Sequence, residues 1–131
     1  MRDFHARNVK GQGVNIHIID CGLKISLNDL INVNVVSLFG QHNAGSKSYH
    51  GIAVSSLVAA TDNGDGYVGI APAANVTLID VDDASGEIKL SSVMKALEYA
   101  QKNGADIVNI SLGTAESDDD LQVKVKEMVD S

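Results

Sequence analysis

This chain of 131 residues carries a formal net charge of −7 and is 44% hydrophobic but only 4% aromatic, which bounds it to one compact domain with an aliphatic core and excludes a disordered chain. The acidic balance repels phosphate backbones and disfavours a nucleic-acid partner, and no run approaches the ~18 apolar residues of a membrane span, so no membrane partner is expected. One cysteine, Cys21, rules out an internal disulfide framework, and the polar stretch from Met1 to Gly13 lacks the apolar core of a signal peptide; a cytoplasmic protein is expected, with a fragment of a secreted one as the alternative.

Residues 1–13 read as a polar lead-in. Val14–Ile19, V-N-I-H-I-I, reads as a strand after a turn at Gly11 and Gly13, and Val33–Phe39 as a second. His50–Ala60 is rich in small residues, with Ile52, Val54, Leu57 and Val58, and reads as a buried helix. Asp62–Gly66, D-N-G-D-G, is a tight loop, and Asn75–Val81 a third strand. Ser91–Asn103 sets Val93, Leu97 and Ala100 on one helical face, and Gly104 behind it suits a C-cap. Asp106–Leu112 is a fourth strand. Asp118–Val129 is a last helix, with aspartates where the macrodipole favours them and a stripe of Leu121, Val125, Met128 and Val129. Strands alternating with helices argue for a parallel sheet covered on both faces, with function at the carboxyl ends of the strands.

The polar residues at those ends are Asp20, then Asp80, Asp82 and Asp83, then Ser111. Asp20 closes an apolar run, where a carboxylate is expensive unless paired; alone it reads equally as a solvated loop acid or a helix cap. His50 opens a helix and alone reads as an exposed histidine. His5, His17 and His42 carry no motif.

Four segments in order carry more than any one of them: D-C-G at Asp20–Gly22, H-G-I-A at His50–Ala53, G-I-A-P-A-A at Gly69–Ala74 and D-I-V-N-I-S-L-G at Asp106–Gly113. With the lead-in G-Q-G-V-N-I-H-I-I-D, they resemble the N-terminal half of the catalytic domain of the subtilisin-like serine proteases, the subtilases or S8 peptidases, from Gly11 to the C-terminus. The resemblance implies a three-layer α/β fold, truncated, with a mostly parallel sheet and helices on both faces. It implies a single partial domain over residues 1–131. It implies that Asp20 orients an imidazole and that His50 is general base and then general acid. Ser111, Leu112 and Gly113 would line one wall of a substrate cleft, and Gly86, Glu87 and Ile88 the other, pairing with an extended peptide or protein substrate. It also implies calcium at the loop Thr61–Tyr67, with side-chain oxygens from Asn63 and Asp29 and carbonyls from Thr61, Asp65 and Tyr67.

The chain departs from the family pattern. No segment matches the G-T-S start of the nucleophile helix or the G-N of the oxyanion asparagine, H-G-I-A stands for H-G-T-H, and Cys21 stands where a hydroxyl residue is usual. The chain alone is therefore expected to be inactive. A non-catalytic peptide-binding or regulatory protein is the alternative, and a receiver-like doubly wound domain using Asp80, Asp82 and Asp83 a third. No Walker lysine is present, and G-Q-G precedes its strand, so the dinucleotide fingerprint fails. A thiol nucleophile at Cys21 is disfavoured because the neighbouring carboxylate weakens it. The apolar strand Asp106–Leu112 would leave an open sheet edge, so a homodimer, or a partner supplying the C-terminal half, is expected.

Overall fold

The computed structural model describes residues 2–22, 27–38, 49–83, 85–113 and 118–130, without the side chain of Arg2. Four parallel strands, β1 (Asn15–Asp20), β2 (Val33–Ser37), β3 (Asn75–Asp80) and β4 (Ile107–Ile110), lie in the order β2-β3-β1-β4. β1 is thus flanked by β3, with Asp20 level with Asp80, and by β4, with Ile19 level with Ile110.

Helices α2 (His50–Ala59), α3 (Leu90–Lys102) and α4 (Asp119–Val129) cover the sheet. On one face Ile16, Ile18, Val76 and Leu78 pack with Ile52 and Ala59 of α2. On the other, Ile19 and Ile79 pack with Val93, Ala96, Leu97 and Ala100 of α3 and with Leu121 and Met128 of α4. The two cores follow from the period of two along a strand. The result is the three-layer α/β architecture expected.

α2 tolerates serines in its buried stripe because their hydroxyls bond back one turn, Ser55 Oγ to Gly51 O at 2.7 Å and Ser56 Oγ to Ile52 O at 2.9 Å. α3 ends as its glycine predicts: Gly104 takes φ 68°, and Ala105 N donates to Ala100 O at 3.1 Å.

Five details differ from the sequence reading. A short helix, α1 (Arg2–Ala6), occupies the lead-in; Asn8 at φ 62° closes it, with Val9 N donating to Phe4 O at 2.9 Å. A single 3-10 turn lies at Asn28–Leu30. β4 is shorter than Asp106–Leu112, because its pairing with β1 ends at Ile110. The stripe of α4 is narrower: Leu121 and Met128 pack inward, but Val125 is exposed and Val129 is 79% exposed. Asp118 is the cap rather than the first residue, its carboxyl accepting from Leu121 N at 2.8 Å. Phe39 and His42 lie outside the described residues. Among the described residues no helix is long and apolar enough to cross a membrane.

Candidate active site

Strand alternation aims Asp20. Ile16 and Ile18 of β1 face α2, and Asp20 continues that set toward the N-terminus of the same helix. His50 is the first residue of α2 and meets it there, with Nδ1 at 2.9 Å from both carboxyl oxygens of Asp20. Asp20 is fully buried, whereas the His50 side chain is 54% exposed. One end of the pair is therefore dry and fixed, and the other opens to solvent. The Asp20 Oδ1 also accepts from Cys21 N at 2.7 Å and Cys21 Sγ at 3.2 Å. Hydrogen bonds to a charged acceptor contribute about 1.5–3 kcal/mol each, which offsets the desolvation of this carboxyl. Because both oxygens accept, the geometry assigns the imidazole proton to Nδ1 and leaves Nε2 as acceptor.

Two glycines hold these elements together. A methyl at Gly51 would overlap the carbonyl oxygen of Cys21, with Asp20 Cβ at 3.2 Å, and a methyl at Gly22 would lie 2.5 Å from Asp80 Cβ. The second letters of D-C-G and H-G are thus a cysteine and a spacing requirement, and their glycines let a helix start and a strand end touch.

The two segments expected to form cleft walls follow the strands that flank β1. Ser111 and Gly113 are exposed and Leu112 half-buried, just beyond β4. Ser111 Oγ accepts from Asn109 Nδ2 at 2.8 Å. On the other side Asp82 and Ile88 form an antiparallel bridge, and the turn containing Gly86 (φ 83°) and Glu87 is organised by Asp83. Its carboxyl accepts from Ser85 Oγ at 2.6 Å and Glu87 N at 3.1 Å and pairs with Lys89 at 2.9 Å. The loop 61–67 is brought against Asp29: Thr61 N donates to Asp29 O at 2.8 Å, and Asn63 Nδ2 to Asp29 Oδ1 at 2.6 Å. Asp65 and Tyr67 are exposed on the same loop.

The family model of the subtilases matches residues 11–131. The chain belongs to the subtilase family. It is similar to Subtilisin DY of Bacillus licheniformis, 37% identical over 109 residues that cover 82% of this chain and 40% of that protein. To Subtilisin Savinase of Lederbergia lenta it is 34% identical over 112 residues, covering 84% and 41%. Among solved structures, a prenylagaramide maturation protease superposes with a TM-score of 0.77 at 23% identity, over 98% of this chain and 46% of the other. A psychrophilic subtilisin-like protease from an Antarctic Pseudoalteromonas superposes at 0.72 with 27% identity, over 98% and 32%. The chain thus spans about two-fifths of the length of the curated relatives it matches. Subtilase membership removes the receiver reading, whose acceptors Asp80 and Asp82 are in any case buried.

Sequence reasoning placed Asp80 and Asp82 at a strand end but gave them no part in this subtilase site. Both are buried, at 0% and 3% exposure, and Asp80 Oδ1 accepts from Gly22 N at 3.0 Å, anchoring the turn that carries Asp20 and Cys21. Among the described residues, Asp80 Oδ2 and both oxygens of Asp82 have no donor. Burial, followed by the Asp82 carboxyl beside it, raises the pKa of Asp80 to about 7. Below that pH the Asp80 proton can bond to the Asp82 carboxyl, a donor for which the described residues offer no other source. The even spacing of 78, 80 and 82 on the α2 side was the available signal.

A raised folded-state pKa stabilises the fold fully below the unfolded value of 3.8, and that contribution is lost as pH rises through about 7. Burial lowers the pKa of His17, which acts with the opposite sign by removing stability in acid, and Asp83, also lowered, does the same at lower pH. Asp80→Asn isolates the first contribution. It is expected to raise the melting temperature at pH 8 by roughly 3–8 °C relative to its effect at pH 4.5. Equal shifts at both pH values would show that Asp80 does not hold a proton.

Proposed function

We propose that this chain supplies the Asp–His half of a subtilisin-like serine endopeptidase. The observation that supports it most is the contact of His50 Nδ1 with a fully buried Asp20 at 2.9 Å, at the carboxyl edge of a parallel sheet. Asp20 holds Nδ1–H and favours the charged imidazole, and Nε2 takes the proton of a serine hydroxyl and passes it to the leaving amine. The substrate is an extended peptide lying between Ser111–Gly113 and Gly86–Ile88, read mainly through its backbone. No motif in these 131 residues offers the nucleophile or the oxyanion asparagine, so the chain by itself is read as inactive. A peptide-binding protein without catalysis is the second reading, favoured by the same missing G-T-S and G-N motifs.

One experiment separates them from an error in both. The purified chain is given an unstructured peptide and a serine-directed fluorophosphonate. Hydrolysis at the buffer rate, no labelling, and amide shift changes at 86–88 and 111–113 are expected. Stoichiometric labelling of a serine would overturn the assignment of the missing nucleophile, and a peptide that shifts neither segment would overturn the cleft.

The loop 61–67 is proposed to take calcium, through Asp29 and Asn63 side chains and carbonyls of Thr61, Asp65 and Tyr67. Hard oxygen donors converge there, and Gly66 leaves room for the Asp29 carboxyl, whose Oδ2 lies 3.3 Å from where a Cβ would sit. Calcium at ~100 times its dissociation constant adds about 2.7 kcal/mol, a rise of several degrees in melting temperature. An unchanged melting temperature in millimolar calcium, or the same rise in Asp29→Asn, would remove the site.

The partner proposed is a second copy of the chain. Among the described residues β4 pairs only with β1, and Ile107 beside its open edge is 51% exposed. Light scattering is expected to give a mass that climbs toward the dimer with concentration, and a constant monomer mass would contradict it.

A further inference from the structure

Asp20, Cys21 and His50 present three different metal-ligating groups at one point. Their ligand atoms lie within 4.8 Å of one another, the one such group among the described residues. The carboxyl and thiol belong to buried residues, and the imidazole is exposed. A thiol, an imidazole and a single carboxyl form a poor set for calcium or magnesium, which want several oxygens. They suit zinc and its borderline-soft neighbours, which take such donors in tetrahedral sites.

The two separations made by the carboxyl are close to what such an ion needs. Tetrahedral Zn–S, Zn–N and Zn–O bonds put ligand atoms ~3.3–3.6 Å apart. Here the carboxyl oxygen is 3.2 Å from Cys21 Sγ and 2.9 Å from His50 Nδ1. Opening these two separations by a few tenths of an ångström, with the thiol and the imidazole within 4.8 Å of each other, brings all three groups to one ion, and the half-exposed imidazole has the space to adjust. The charges also balance. A dication with a carboxylate, a thiolate and a neutral imidazole is electroneutral, as a site on a fully buried aspartate requires. Binding replaces the thiol proton and the Nδ1 proton. The thiol proton leaves to solvent, and the imidazole keeps a single proton on Nε2.

We propose that Asp20, Cys21 and His50 form an inhibitory site for zinc or a similar soft divalent cation. The ion occupies the place of the hydrogen bond that sets the imidazole tautomer. With metal on Nδ1 and a proton on Nε2, His50 can no longer accept a proton from a nucleophile. Cys21 is the residue that creates the site, since a hydroxyl at that position is a much weaker ligand for such ions. This regulation rests on the protease reading of the dyad, but the coordination itself does not.

Cobalt(II) tests it on the intact chain without substrate. The chain has one cysteine, so a near-ultraviolet thiolate-to-cobalt band reports Cys21 alone. One equivalent of cobalt is expected to give that band together with intense tetrahedral d–d bands, and one equivalent of zinc to bleach both. Cys21→Ser, which restores a hydroxyl and preserves the packing, loses the thiolate band. His50→Ala, at a half-exposed position, weakens cobalt binding by ~10–100-fold. An octahedral spectrum without the thiolate band, or a thiolate band of unchanged affinity in His50→Ala, would overturn the site. Neither result depends on proteolysis, so failure here leaves the protease reading standing, and failure of that reading leaves the spectrum unaffected.

Discussion

The site depends on one close approach, that of the first turn of α2 to the end of β1. Gly51 lies against the carbonyl of Cys21 with no room for a side chain, and Gly22 lies equally close to Asp80. Helix propensity alone would favour alanine over glycine in the first turn of α2 by about 1 kcal/mol. The glycine is retained because its missing methyl lets the histidine before it reach a carboxyl inside the sheet. The strand sets the direction of Asp20, the helix start sets the position of His50, and the glycine contact sets the distance.

Around that contact the chain concentrates acid where acid is costly. Asp20, Asp80 and Asp82 are all buried at the carboxyl edge of the sheet. Each is handled differently. Asp20 is satisfied by a backbone N–H, a thiol and an imidazole. Asp80 accepts from Gly22 N and Asp82 N and carries a raised pKa. The Asp82 carboxyl has no donor among the described residues apart from the Asp80 proton. Through its bond from Gly22 N, Asp80 supports the turn on which Asp20 and Cys21 sit, while burial and the Asp82 carboxyl oppose its ionisation.

Much of the fold was legible because the strands and α3 obey clear periods and the glycines fall where the backbone turns positive. The dyad was legible from two short motifs in order. What was not legible has physical causes. α1 is too short to show a period, and its signal was the single residue Asn8, whose left-handed conformation a sequence only permits. The length of β4 depends on where its pairing with β1 stops, which is a tertiary property. The apolar residues of α4 suggested a broad stripe, but helix faces are set by what lies beneath them, and there only Leu121 and Met128 meet the core. D-V-D-D at the end of β3 shows in sequence only as polar residues at a strand end; the burial of Asp80 follows from register, Asp80 lying level with Asp20.

The central claim is that the glycine contact, more than the two side chains themselves, makes the Asp20–His50 pair. The direct measurement is the Nδ1–H proton of His50 in nitrogen-15 labelled protein, compared between the native chain and Gly51→Ala. The account predicts a strongly deshielded, slowly exchanging proton in the native chain, absent in Gly51→Ala although circular dichroism shows the helices intact. The same resonance in both proteins would contradict it, because the pair would then form without the close approach of α2 to β1.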